Sequence, residues 1–215
     1  MSYEFLSPAA SALARSPMER QALAAGARLE RRDGWNVAVA YEGLERERRR
    51  CESSAGFADR SQLGKIEVQG PHGLPLGQAT RRDDGRWCPL TPDKALVICE
   101  PADTAALLER LEATSATVVD LTSALAALTI AGPLAVEVFA RFTAIDLRDA
   151  ATPVEAFRPG SVGRTPGAIL REAEDSWLML FGAALGSYMW TVVADAAEHL
   201  GGGPVGADAL AVAYA

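Results

Sequence analysis

Arg60 and Gln62 flank Ser61 in the stretch Asp59-Arg60-Ser61-Gln62, just ahead of the run Gly64 to Gly70. A guanidinium and a primary amide two positions apart can both donate hydrogen bonds to a carboxylate or carbonyl. The same four residues also suit a turn at a strand entry, with Asp59 bonding local N–H groups. Trp177 and Tyr188 offer aromatic faces, either to a planar ligand or to the core. Asp83-Asp84 and Glu174-Asp175 are acidic pairs in turn-like surroundings. His72 and His199 have no visible Ser or Cys partner, which leaves a hydrolytic triad unsupported. Cys51, Cys88 and Cys99 follow no zinc-ligand spacing, so no metal site is expected and the thiols read as free and buried in a reducing cytosol.

A repeat governs how these residues are held. Ser61-Gln62-Leu63 through Gly70-Pro71 and Ser123-Ala124-Leu125 through Gly132-Pro133 place Ser, Leu, an apolar residue and Gly-Pro at an offset of 62 residues. Each copy follows an acid, Asp59 or Asp120, although these two are out of register by one position. Each copy reads as a strand that ends on Gly-Pro, and two such units predict related halves around a shared pocket. Strand-Gly-Pro is also ordinary turn grammar, so the repeat competes with coincidence.

The 215 residues are 49% hydrophobic and carry a net charge of −7, enough apolar content for one large or two small cores. The acidic balance argues against a nucleic-acid surface. Arg46, Arg48, Arg49 and Arg50 alternate with Glu45, Glu47 and Glu52, the pattern of a solvated helix face. No apolar run reaches membrane-spanning length and no leader is visible at Met1, so a cytoplasmic protein without membrane contact is expected.

The elements follow from periodicity. Residues 1 to about 25 read as an Ala-rich arm. Trp35 to Tyr41 alternates as a strand after an Asp33-Gly34 turn, and Glu42 to Ser54 reads as a solvent-facing helix stopped by Gly56. Strands are expected at Lys65–Val68, Leu96–Cys99, Val118–Val119 and Ala127–Ile130. Helices are expected at Thr104–Ala113, from Pro133 through Phe142, and at Ser187–Leu200. Residues 148–167 read as a proline-bearing loop, and Ala168–Arg171 with Ser176–Phe181 as a hairpin. Strands mixed with helices over short connections predict an α+β fold.

Gly34-Trp35, the charged helix, and Gly56-Phe57-Ala58-Asp59-Arg60-Ser61-Gln62-Leu63-Gly64-Lys65 through Gly70-Pro71 together resemble the glycine-cleavage T-protein superfamily. Asp120 to Phe139 resembles its second strand-helix unit, and Arg171 to Trp190 its later hairpin and helix. Arg86 through Ile98, with Pro92-Asp93, is similar to the compact middle of sarcosine oxidase gamma subunits. The resemblance implies a pseudo-twofold, folate-binding aminomethyltransferase-like fold. Its halves are expected at 1–115 and 116–215, without the final barrel domain of the transferases.

It also implies tetrahydrofolate as cofactor. Glu174 matches the hairpin acid that faces the pterin, with the flanking glycines replaced by Ala173 and Ser176. Arg60, Gln62, Trp177 and Tyr188 are the other implied folate contacts. Asp83 and Asp84 are the nearest stand-ins for the transferases' catalytic Asp, but the Asn that normally precedes it is missing. The arginines of the C-terminal motif are also missing from Gly206-Ala207-Asp208-Ala209-Leu210-Ala211. These departures favour a folate-binding or accessory subunit of a larger flavin-dependent oxidoreductase. An active folate-dependent aminomethyltransferase or demethylase is the alternative, and a stand-alone folate sensor or repair factor ranks below both.

Overall fold

The computed structural model describes residues 13–82, 85–114 and 117–213. Asp83 and Asp84 lie outside them. The chain opens with β1 (Ala14–Arg15) and α1 (Glu19–Ala24), then a hairpin of β2 (Arg28–Arg32) and β3 (Trp35–Ala40). Asp33 and Gly34 make that turn with both φ angles positive, as a two-residue hairpin requires. α2 (Leu44–Ser53) leads to β4 (Gly56–Asp59), β5 (Gly64–Gln69), β6 (Thr80–Arg82), β7 (Gly85–Thr91), β8 (Lys94–Cys99) and α3 (Thr104–Thr114). β9 (Thr117–Asp120), β10 (Leu125–Ala131), α4 (Ala135–Phe139), β11 (Phe157–Val162), β12 (Thr165–Ala173), β13 (Ser176–Gly182) and α5 (Gly186–Glu198) follow. β14 (Gly203–Pro204) and α6 (Ala207–Ala213) close the described chain.

The two repeat strands lie in different sheets, yet in matching places. One sheet runs β6-β7-β8-β5-β9 and the other β11-β12-β13-β10-β4-β14. Exchanging β4 with β9, β5 with β10, β6 with β11, β7 with β12 and β8 with β13 converts one five-strand order into the other. Each half thus lends its first strand to the sheet of its mate, an approximate twofold with exchanged strands. Short β1 joins β3 and β2 in a third sheet.

Hydrogen bonds at the crossing repeat the symmetry. Arg60 N donates to Ala127 O at 2.9 Å, and Leu121 N to Lys65 O at 2.8 Å. Asp59 Oδ1 accepts from Ser61 N and Asp120 Oδ1 from Thr122 N. The Ser61 hydroxyl accepts from Ala127 N and the Thr122 hydroxyl from Lys65 N. Thr122, rather than Ser123, is therefore the counterpart of Ser61. The second loop carries one more residue, which accounts for the one-position slip of the two acids.

Side-chain alternation stacks the layers. Leu96 and Ile98 of β8 meet Leu178 and Leu180 of β13 between the sheets. Val97 and Cys99 pack under Leu107 and Leu111 of α3 on one outer face. Trp177, Met179 and Phe181 pack with Met189, Trp190 and Val193 of α5 on the other. β8 and β13 bury both faces, which is why they read as continuous apolar runs.

Several expectations need correction. The supposed arm contains α1, whose Ala22 is buried beside Met18, because this helix joins the core under α5. Gly56 opens β4 instead of stopping a helix: a Cβ there would sit 2.6 Å from Cys51 Sγ. α2 is not wholly solvated, since Glu47 and Cys51 are buried. α4 ends at Phe139, before Phe142. The stretch 148–167 holds β11, whose Pro159 is tolerated because β11 is a sheet edge. β7, with Pro89 beside a bulge, and the closing β14 and α6 carried too weak a pattern to be expected.

Candidate functional site

An open cleft of about 820 Å³ lies beside the crossing of the two halves. Its wall is assembled from the turn after β4, the ends of β6, β7 and β8, the β12–β13 hairpin, the β2–β3 turn and α6. Arg60, Gln62 and Leu63 enter it from the crossing loop, Arg81, Arg82 and Arg86 from one sheet, and Glu172 from the other.

The loop that presents Arg60 and Gln62 is fastened from below. Lys65 is fully buried, and its Nζ donates to Ser61 O at 2.7 Å and Leu63 O at 2.8 Å. Burial pulls the ammonium down to about 8, against the opposing pull of Asp59, Asp120 and Cys99. Asp59 is pushed upward by burial, partly offset by hydrogen bonds from Ser16 and Ser61. Arg60 reaches Glu100 at 3.7 Å.

Alternation along β7 and β12 turns Arg86 and Glu172 toward the rim of the core between the sheets. Arg86 pairs with Glu172 across the sheets and lies 3.5 Å from Glu155. Arg81 Nε donates to Glu155 Oε1 at 2.6 Å, and Thr129 Oγ1 to the other oxygen of Glu172 at 3.4 Å. Arg82 stacks over the Trp87 ring at 4.4 Å. At the far wall Arg32 pairs with Asp208 at 2.7 Å. Cys99 also lines the cleft, but burial pushes its thiol up, so it stays protonated near neutral pH.

The structure brings Arg60 and Gln62 together in this cleft and places the other expected contacts elsewhere. Glu174 is exposed at the tip of the β12–β13 turn and does not line the cleft. That turn is held through its carbonyl: the buried Arg171 donates to Glu174 O at 2.7 Å and to Thr152 O at 2.9 Å. Glu172, two residues earlier, does line the cleft, as do Asp33, Glu100 and Asp103. Trp177 is 1% exposed, because alternation in β13 turns it to the α5 side, where its ring packs against Phe139. Its Nε1 finds no hydrogen-bond partner among the described residues. Tyr188 sits on α5 in a separate cavity, its hydroxyl donating to Gly163 O at 3.0 Å.

Arg86, Glu155 and Glu172 were not expected from sequence. The signal for Glu172 was a charged pair, Arg171-Glu172, interrupting an apolar strand; Glu155 and Arg86 had none, since each meets its partners only through long-range folding. His72 bonds Thr91 O at 2.6 Å and His199 bonds Asp195 O at 2.7 Å, and neither lines the cleft. All three cysteines are buried free thiols. Among the described residues, no group of three or more His, Cys, Asp or Glu is arranged to hold a metal, and no helix is long and apolar enough to cross a membrane.

Comparison with solved structures places this fold. The glycine cleavage system aminomethyltransferase T from Bartonella henselae superimposes with a TM-score of 0.74 at 18% identity, over 92% of this chain and 60% of that one. A chain of the heterotetrameric sarcosine oxidase from Corynebacterium sp. U-96 superimposes with a TM-score of 0.66 at 20% identity, over 87% of this chain and 96% of that one. In sequence, the aminomethyltransferase of Moorella thermoacetica is 26% identical over 227 residues, covering 90% of this chain and 61% of the relative. That of Deinococcus deserti is 33% identical over 99 residues, covering 46% and 27%. The chain thus spans about 61% of the Moorella relative's length. Residues 77–213 match the family described as the GCVT N-terminal domain. The chain belongs to that family, and with it to the T-protein superfamily.

Proposed function

We propose that this folate-fold protein of one-carbon metabolism is a tetrahydrofolate-binding accessory subunit of a larger, sarcosine-oxidase-like flavin-dependent oxidoreductase. One observation carries the reading. The fold superimposes over 87% of this chain on a chain of the heterotetrameric sarcosine oxidase, a protein built of several subunits.

The donor set of the cleft fits the cofactor. A volume of about 820 Å³ is in the range of small-molecule sites. The pterin edge presents paired N–H donors, which call for a carboxylate, and Glu172 is one facing inward. The carbonyl and carboxylate groups of the remainder call for donors, which Arg60 and Gln62 supply. When bound, tetrahydrofolate supplies a nitrogen that accepts a one-carbon unit. This chain's part is to bind and orient it. Among the described lining residues there is no histidine, the Cys99 thiol is protonated, Arg81 and Arg86 are tied to Glu155 and Glu172, and of the other acids Glu100 pairs with Arg60 while Asp33 and Asp103 lie at the margin. Such a site holds a ligand more readily than it moves protons.

The 26% identity to an aminomethyltransferase over 90% of the chain favours a second reading, an active transferase with Asp83 or Asp84 as its acid. Calorimetry with tetrahydrofolate, with and without the larger flavoprotein, separates the two. Arg60→Ala should weaken binding by about tenfold, the worth of one charge-assisted hydrogen bond. The wild-type chain should co-elute with a flavin-absorbing partner and turn over nothing alone. Absence of heat with tetrahydrofolate, in the chain and in its complex, removes the folate reading. Demethylation by the isolated chain at about 1 s⁻¹, abolished by Asp83→Asn or Asp84→Asn, replaces the subunit reading with the transferase.

A further inference from the structure

We propose that a second cavity, between the segment that follows α4, the β11–β12 turn and α5, binds a small oxyanion carried on a planar ring, with Arg141 and Arg164 as its cations and Tyr188 as its platform. The cavity measures about 430 Å³ and shares no lining residue with the folate cleft. No acidic side chain is among its described lining residues, which are otherwise small, apolar or neutral. Arg141 and Arg164 are exposed side chains on this one concavity, and an anion seated there can accept charge-assisted hydrogen bonds from guanidinium groups.

The backbone under Arg164 points the same way. Gly163 and Arg164 form a two-residue turn between the paired Val162 and Thr165, with φ of 54° and 62°. Such turns favour Asn or Gly at both places, and arginine in the left-handed region is strained. Strain retained at one residue is a pointer to use.

The turn is also clamped. Gly163 N donates to Phe142 O at 2.9 Å, Tyr188 Oη donates to Gly163 O at 3.0 Å, and Thr143 Oγ1 donates to Ser161 O at 2.7 Å. A Cβ on Gly163 would sit 2.7 Å from Met189 Sδ, so the turn has little room to shift. Arg164 therefore extends from a fixed point. Tyr188 is anchored by its hydroxyl yet 45% exposed, which leaves ring surface for stacking.

The test titrates the full chain with inorganic phosphate, phenyl phosphate and benzoate by NMR. The tightest of the three identifies the headgroup, and phenyl phosphate should exceed inorganic phosphate by about tenfold through stacking. Arg141→Gln and Arg164→Gly should each weaken binding by about tenfold or more. Arg164→Gly should melt no lower than wild type, because glycine relieves the strained φ, so lost binding there is not lost folding. Arg148→Gln, which removes an exposed arginine paired with Asp146 outside the cavity, should leave affinity unchanged. The proposal is overturned if none of the three binds by about 10 mM, if both cavity variants bind as wild type does, or if Arg148→Gln weakens binding equally.

Discussion

Two buried ions hold this structure in opposite electrostatic senses. The Lys65 ammonium is fully buried and bonded to two carbonyls, with burial pulling it to about 8 from a usual 10.5. The folded state thus releases this proton before the unfolded chain does, so between pH 8 and 10.5 the group makes stability rise with pH. Lys65→Met should flatten that rise in denaturant melts taken across the window. It should also cost about 1–3 kcal/mol at pH 7 for each carbonyl left unbonded, and loosen the loop that presents Arg60 and Gln62. A mutant with the wild-type slope would show that another group sets the alkaline limb. Glu47 is the converse. Burial pushes its carboxylate up, but backbone N–H groups of Gly206, Tyr41, Gly43 and Glu42 together overcome this and hold it below the usual range. Its stabilisation is complete above the unfolded value near 4.5 and is lost as pH falls through the lower folded one. An amide can offer one oxygen, and its NH₂ would face a donor. Glu47→Gln should therefore cost about 3 kcal/mol or more and erase much of the acid-limb dependence, as melts at pH 3 to 7 would show. A loss under about 1 kcal/mol would mean the four donors find other partners.

At the scale of elements, the symmetry makes Gly70 and Gly132 counterparts in different surroundings. Both have φ in the glycine region, 138° and 123°. A Cβ on Gly70 meets nothing within 4 Å, whereas one on Gly132 would lie 2.4 Å from Ser54 O and 2.6 Å from Cys51 O. Gly70→Ala should cost only the backbone strain, about 1–3 kcal/mol, while Gly132→Ala should cost several more or prevent folding. Equal losses in matched urea melts would refute the packing difference. The Gly-Pro pair was legible from sequence because this φ demand sits in the chain itself, but the crowding that separates the two copies comes from α2, some 80 residues earlier. The same division runs through the site. The strand-entry turn of Arg60 and Gln62 was legible as a local pattern with its own Asp cap, while their direction toward a pocket was implied only by the family resemblance. Glu172 could not be preferred to Glu174, because alternation gives both the same parity and only the end of β12 at Ala173 shows that Glu174 belongs to the turn. Trp177 stayed open between a stacking face and the core because its strand is apolar on both sides, and only the position of α5 shows which side it occupies.

The whole molecule has distinct apolar clusters, one between the sheets and others under α3 and α5, which by themselves suggest separable units. The exchanged strands argue against that. β9 belongs by sequence to the second half, but its described partner is β5 of the first. β4 belongs to the first half, but pairs with β10 of the second and with β14 near the end of the described chain. Unfolding either half alone would take the exchanged strand out of the other half's sheet, leave the carbonyl of Ala127 or of Lys65 without its cross-half donor, and uncover Leu178 and Leu180 or Leu96 and Ile98. Unpaired buried backbone groups and exposed core are costs that neither half can offset from its own contacts. Heating should therefore give one calorimetric transition, with calorimetric and van't Hoff enthalpies in agreement. Near-ultraviolet signals from Trp87 in one sheet and Trp177 in the other should be lost at the same temperature. Residues 117–215 expressed alone should lack cooperative melting, and adding residues 1–116 in trans should restore it. Two resolved transitions, or a cooperative melt from the isolated second half, would show that the halves fold independently and that the strand exchange is an ornament on two self-sufficient sheets.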